Sequence, residues 1–142
     1  MWSGGRRTGP ELPGRISLDA TVSPTEDPDK VIGAMKNLMG GKALEEDRGR
    51  LVVRMAYEKV DSLTRLRDQL RDRRVRAAAR RLLLGEKKGN STTLMLNRQA
   101  AAVGVAALCS SPDQSPLGPI YLTIGSNRLD DVIEWLAAYE AG

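Results

Sequence analysis

Two groups of side chains in this 142-residue chain have the types and spacing for recognition chemistry. The first is cationic: Arg73, Arg76 and Arg80 recur at i, i+3 and i+7, Arg74 and Arg81 lie seven apart beside them, and Lys87-Lys88 follow. On a helix those intervals put the guanidinium groups on one face, where their planar forks suit bidentate contacts to phosphate. The second group is mostly uncharged. Asn90, Ser91, Thr92 and Thr93 precede the apolar run Leu94-Met95-Leu96, and Asn97, Arg98 and Gln99 follow it. Amides and hydroxyls both donate and accept, so they suit a ligand that offers both. The same residue types also cap helices and shape turns, and a charged outer face is the ordinary condition of any surface helix.

Other chemistry is narrowed by what the chain lacks. It has no histidine, which removes the commonest general base and the commonest metal ligand. Cys109 is the only cysteine, so an internal disulfide and cysteine-cluster metal sites are excluded, and with no histidine to activate it a buried small residue is the simpler reading. Catalysis would have to rest on carboxylates, lysine, tyrosine or an oxygen-held metal. Glu45-Glu46-Asp47 could hold a cation, but oxygen sites need several converging ligands, and a solvated hairpin end accounts for them. Neither Gly41-Lys42 nor Gly85 to Asn90 fits the phosphate loop, which needs a glycine five residues before Gly-Lys and a hydroxyl after it. No catalytic residue, metal or cofactor is assigned.

The charge is unevenly spread. From Arg65 to Lys88 ten cations face three acids, a local balance of +7, while the rest of the chain carries −3 to give the net +4. That asymmetry points to a polyanionic partner. Two tryptophans, three tyrosines and no phenylalanine supply a base-stacking platform poorly, so backbone and shape contacts are favoured over base reading.

The elements that position these groups follow from the apolar pattern. Arg15 to Val22 alternates, with Ile16, Leu18, Ala20 and Val22 on one side, as a half-buried strand does. Asp27 and Pro28 start a helix with the stripe Val31, Ile32, Met35, Leu38 and Met39, ended by Gly40-Gly41. Ala43 to Glu46 and Arg50 to Tyr57 read as strands joined by Asp47-Arg48-Gly49, with Leu51 on the same face as Val53, Met55 and Tyr57. Asp61 or Ser62 caps a helix striped by Leu63, Leu66 and Leu70. The spacing slips between Leu70 and Val75, which predicts a break near Arg71 to Arg74 before a second helix striped by Ala78, Ala79, Leu82 and Leu83. After Gly85 the spacing predicts a mobile basic loop from Glu86 to Gly89 and a strand from Thr92 to Leu96. A short helix capped by Asn97 and a strand from Val103 to Leu108 buried on both faces are expected next. An irregular loop from Ser110 to Gly118 follows, then a strand from Pro119 to Ile124. The last element is a helix capped by Ser126 or Asn127 and striped by Leu129, Val132, Ile133 and Leu136, with Trp135 and Tyr139 beside them.

Four segments stand in an order that resembles a known family: V-x-P-T-E-D-P-D-K-V (Val22 to Val31), R-R-V-R-A-A-A-R-R-L-L-L (Arg73 to Leu84), G-N-S-T-T-x-x-L-N-R-Q-A-A (Gly89 to Ala101) and S-P-L-G-P-I (Ser115 to Ile120). Together, over about Arg15 to Leu136, they resemble an archaeal family of small proteins predicted to bind RNA. The resemblance implies a fold similar to the ribosomal protein that binds 5S rRNA, an α+β domain with a sheet of about five to six strands covered by helices. It implies no catalytic residues.

The expectation is a flexible tail over residues 1–14 and a single α+β domain over 15–142, cytoplasmic for want of an apolar signal core or spanning segment. Its partner is structured RNA, bound without catalysis through Arg73, Arg74, Arg76, Arg80, Arg81, Lys87 and Lys88, with Asn90, Ser91, Thr92, Asn97 and Arg98 as polar contacts. A homodimeric scaffold using Leu84 is the alternative, followed by a histidine-independent phosphate-ester enzyme.

Overall fold

The structure is a computed structural model and describes residues 12–49 and 51–138. Six strands form one sheet: β1 (Arg15–Thr21), β2 (Glu45–Arg48), β3 (Val52–Tyr57), β4 (Ser91–Leu96), β5 (Leu108–Cys109) and β6 (Ile120–Gly125). They run in the order β2-β3-β1-β6-β4-β5, every neighbouring pair antiparallel. Among the described residues five α-helices accompany them: α1 (Pro28–Leu38), α2 (Thr64–Asp72), α3 (Arg76–Gly85), α4 (Arg98–Ala102) and α5 (Leu129–Leu136). The expected α+β class and single sheet are what the chain adopts.

The register explains the core. Met55, Leu18, Leu122 and Leu94 lie side by side across four strands, and Tyr57, Ile16, Ile124 and Thr92 form the next row. All eight are buried. Because side chains alternate along a strand, this fixes one face as the helix-covered one. Val31, Ile32, Met35 and Leu38 of α1, Leu66 and Leu70 of α2, Ala79 and Leu83 of α3, and Leu129, Val132, Ile133 and Leu136 of α5 are buried in the same core. The opposite face carries Ser17, Asp19, Thr93, Met95, Tyr121 and Thr123, all half-buried, with Arg54 exposed.

On that face Asp19 lies opposite Arg54 on one side and Tyr121 on the other. Burial pushes its carboxyl above the ordinary carboxylate range, and Arg54 offsets part of the rise. A carboxyl whose pKa is raised on folding holds its proton more tightly when folded, so stability falls as pH climbs from the unfolded value through the folded one. Asp19→Asn should therefore raise stability at pH 7 and leave it nearly unchanged at pH 3. Urea midpoints at the two pH values check this, and an equal change at both would remove ionisation as the cause.

Several expected elements shift. The β2–β3 turn moves two residues along, because Asp47 and Arg48 pair with Arg54 and Val53. Leu51 consequently precedes β3, 72% exposed rather than on the buried face, and its carbonyl accepts from the Val22 amide. Arg50 lies outside the described residues, as do Tyr139 and residues 1–11 of the expected tail. Leu12 packs against the core and the Pro13 carbonyl accepts from the Ser126 hydroxyl, so the domain takes in residues 12–14. Neither Asp61 nor Ser62 caps α2: a 3-10 turn, Val60–Leu63, leads into it with no side-chain cap. The expected break stands, with α2 ending at Asp72 and α3 beginning at Arg76. Before α5, the Ser126 hydroxyl accepts from the Arg128 amide.

The largest departure is residues 103–108. Val103 is 78% exposed, Gly104 takes a φ of +82°, and only Leu108–Cys109 pairs with β4. Side chains from α2 and from the residue just after it replace the missing ladder. Gln69 donates to the Gly104 carbonyl (2.8 Å) and accepts from the Ala106 amide (2.7 Å), while Arg73 donates to the Ala106 carbonyl.

Candidate nucleic-acid interface

The basic segment is set by the α2–α3 break. Arg74 adopts a left-handed φ of +59°, its amide donates to the Arg71 carbonyl, and the Val75 amide reaches the Leu70 carbonyl. That turn ends one helix and reorients the next. Left-handed backbone costs a non-glycine residue about 1 kcal/mol, so Arg74→Gly should stabilise the fold by up to about that amount, seen as a rise in thermal midpoint. A fall would show that the side chain contributes more than the strain removes.

Within α3 the buried Ala79 and Leu83 fix the orientation. Successive residues turn by about 100°, so Ala77, Arg81 and Leu84 point outward, and all three are exposed. The expected phosphate-binding row is therefore rotated. Arg73 is tied to the Ala106 carbonyl. Arg80 pairs with Glu134 of α5 at 2.5 Å and is only 28% exposed. Arg76 lies half-buried on the same flank. Lys87 pairs with Asp130 of α5. The acids that the basic segment lacks in sequence are thus supplied in space by α5. Arg74, Arg81 and Lys88 are exposed and carry no side-chain hydrogen bond or ion pair among the described residues. Leu84, 45% exposed, stands on this face with the small side chain of Ala77.

The segment after α3 is a hydrogen-bonded turn rather than a free loop. The Lys88 and Ser91 backbones exchange two hydrogen bonds, at 2.8 and 3.0 Å, and Gly89 takes φ +59° between them. Asn90 is exposed beside Lys88, its carbonyl accepting from the Ser126 amide. Ser91 is half-buried at the start of β4. Thr92 is 1% exposed, and its hydroxyl donates to the Leu83 carbonyl. Thr92 therefore fastens α3 to the sheet and offers no surface to a macromolecule.

The two halves of the polar cluster do not form one site. They sit at opposite ends of the six-residue strand β4, about 20 Å apart at the rise of a strand. At the far end Asn97 caps α4, its side-chain oxygen accepting from the Ala100 amide at 2.8 Å. Arg98 is interior, 4% exposed, and is corrected from surface contact to core ion pair. Its Nη1 donates to both carboxylate oxygens of Glu26 at 2.8 Å, its Nε to the Gly118 carbonyl at 3.0 Å, and its backbone amide to the Ser115 hydroxyl. Nη2 is the one buried side-chain nitrogen or oxygen among the described residues with no hydrogen-bond partner. Three of the four motif segments meet here, through Glu26, Arg98, and Ser115 with Gly118. Sequence reasoning missed Glu26, whose partner lies 72 residues away. One signal was available: Arg98 shares a helix face with the buried Ala101, three residues on.

Among the described residues no group of three or more histidine, cysteine, aspartate or glutamate side chains could hold a metal ion. Glu46 is held by Lys36 and Arg48, each at 3.0 Å, and the Lys36 hydrogen bond draws its carboxyl below the ordinary range. Cys109 is buried, and burial pushes its thiol above the ordinary value, away from the reactive thiolate. Among the described residues no helix is long and apolar enough to cross a membrane.

A family model described as RNA binding matches residues 15–125. A UPF0201 protein of Sulfolobus acidocaldarius is 38% identical over 124 residues, covering 86% of each chain, and one of Metallosphaera sedula is 38% identical over 87% of each. Among solved structures, the UPF0201 protein from Methanococcus jannaschii is similar with a TM-score of 0.69 at 27% identity, over 90% of this chain and 96% of that one. Another UPF0201 crystal structure reaches a TM-score of 0.75 at 28% identity, over 88% and 94%. Sequence match over nearly the whole domain and fold match over the same span agree, and the chain belongs to the UPF0201 family, matched by the RNA-binding family model.

Proposed function

We propose that the protein binds structured RNA without catalysis, and that the outer face of α3 meets the phosphates. The observation that carries this reading is that Arg81 on α3, Arg74 in the turn before it, and Lys88 and Asn90 in the turn after it are all exposed. These cations are exposed and unpaired among the described residues, whereas their neighbours are spent on α5 and the 103–107 loop. The description of the matching family model supports an RNA partner. The likeness to the 5S-rRNA-binding ribosomal protein implied by the motifs points the same way, as an analogy of fold.

Binding of a fluorescent RNA hairpin across a salt series tests the reading, with duplex DNA of equal length as control. Micromolar or tighter affinity for RNA is expected, with the logarithm of the binding constant falling linearly against the logarithm of salt concentration. No binding at low salt, where charge is least screened, would overturn it.

A further inference from the structure

The turn that carries Lys88 and Asn90 also forms one wall of a cleft. Asn127, Arg128 and the first turn of α5 form the other, and the space between them is about 370 Å³, within the size range of small-molecule sites. The two walls are joined at the base, where the Ser126 amide donates to the Asn90 carbonyl at 2.9 Å.

The charges that line this cleft cancel. Lys87 pairs with Asp130 across it, and Arg128 holds Asp131 at 2.8 Å. Two carboxylates beside two paired cations offer little to a phosphate, which is better met by the exposed Lys88 next to the cleft. What remains uncommitted is a pair of amides. Asn90 and Asn127 both line the cleft and are both exposed. Ser126 takes the capping role that the sequence offered equally to Asn127, its hydroxyl accepting from the Arg128 amide. Neither asparagine side chain has a hydrogen bond among the described residues.

A side-chain amide donates through its nitrogen and accepts through its oxygen. The backbone of RNA presents one uncharged group that does both, the ribose 2′-hydroxyl, and DNA lacks it. Each ribose lies between successive phosphates, so a strand anchored by a phosphate on Lys88 brings a ribose to the cleft beside it. We infer that the cleft between the 87–90 turn and α5 receives a ribose of the bound strand, with Asn90 and Asn127 reading its 2′-hydroxyl and so favouring RNA over DNA.

This rests on the RNA-binding reading, but its test is separable from it. Two hairpins of one sequence are titrated into the full chain, one of RNA and one carrying 2′-fluoro in place of every 2′-hydroxyl. The 2′-fluoro strand keeps the A-form helix and every phosphate but has no hydroxyl to donate, so a protein reading only shape and charge treats the two alike. Wild-type protein should bind the RNA about tenfold more tightly, the sum of two modest hydrogen bonds. Asn90→Ala/Asn127→Ala should lose that tenfold and keep its affinity for the 2′-fluoro hairpin. Both side chains are exposed and neither residue has left-handed backbone, so the thermal midpoint should stay at the wild-type value. The salt slope should stay as well, because no charge is removed. Equal binding of the two hairpins by wild-type protein overturns the inference, as does full discrimination by the double variant. In either case hairpin binding itself leaves the RNA-binding reading in place, whereas no binding of either hairpin at low salt removes both.

Discussion

Replacing Arg98 with methionine should destabilise the protein by about 3–5 kcal/mol, the usual consequence of removing one partner from a buried ion pair. The loss has identifiable parts. Glu26, with a side chain only 15% exposed, would keep the Ser23 amide at 2.9 Å and lose the guanidinium that neutralises it. The Gly118 carbonyl would lose the Arg98 Nε donor, leaving the Ser115 hydroxyl. Against a typical total stability of about 5–15 kcal/mol, such a change removes a large share. The double variant Arg98→Met/Glu26→Leu should recover most of it, because a matched apolar pair often equals a buried ionic one. Urea unfolding of the three proteins measures the coupling. A single-variant loss under about 1 kcal/mol would place the pair among surface ion pairs.

Reversing Arg74, Arg81 and Lys88 to glutamate should have the largest effect on RNA binding. Each phosphate contact contributes about 0.9 to the salt slope on a duplex, so losing three lowers it by nearly 3. Between 50 and 200 mM salt, wild-type affinity should therefore fall about 40-fold more than that of the triple variant. Reversing Arg73, Arg76 and Arg80 gives the contrast. Arg73 holds the Ala106 carbonyl and Arg80 holds Glu134, so that variant should lose thermal stability and keep more of the salt slope. The opposite ranking in RNA titrations would return the site to the α5-facing flank.

The parts of the fold visible in sequence are those whose pattern is local. The alternation of β1 survives because one face must be buried, and the Asp27-Pro28 start of α1 is observed, with the Asp27 side chain accepting from the Asp29 amide. The break before α3 shows because a stripe cannot skip five residues on one straight helix. What failed depends on distant partners. The small apolar run at 103–108 looks like a buried strand until Gln69 of α2 and Arg73 just beyond its end are seen to satisfy its backbone. The +7 segment looks like an open cationic face until α5 folds against it with Asp130 and Glu134. Arg98 looks like a surface group because arginine is rarely fully buried, and Glu26 gives no local sign of being its partner.

The two ends of the sheet bear on how molecules of this protein treat one another. One edge, β2, is four residues long, and its sequence is Glu-Glu-Asp-Arg; the other, β5, is two residues long. Charged edge strands such as β2 and very short ones such as β5 are both poor templates for an incoming strand, so neither end invites a second copy to extend the sheet into a polymer. Exchanging Glu45 and Asp47 for valine would lengthen the apolar character of β2 without touching the core, and the expected result is concentration-dependent light scattering that the native chain does not show.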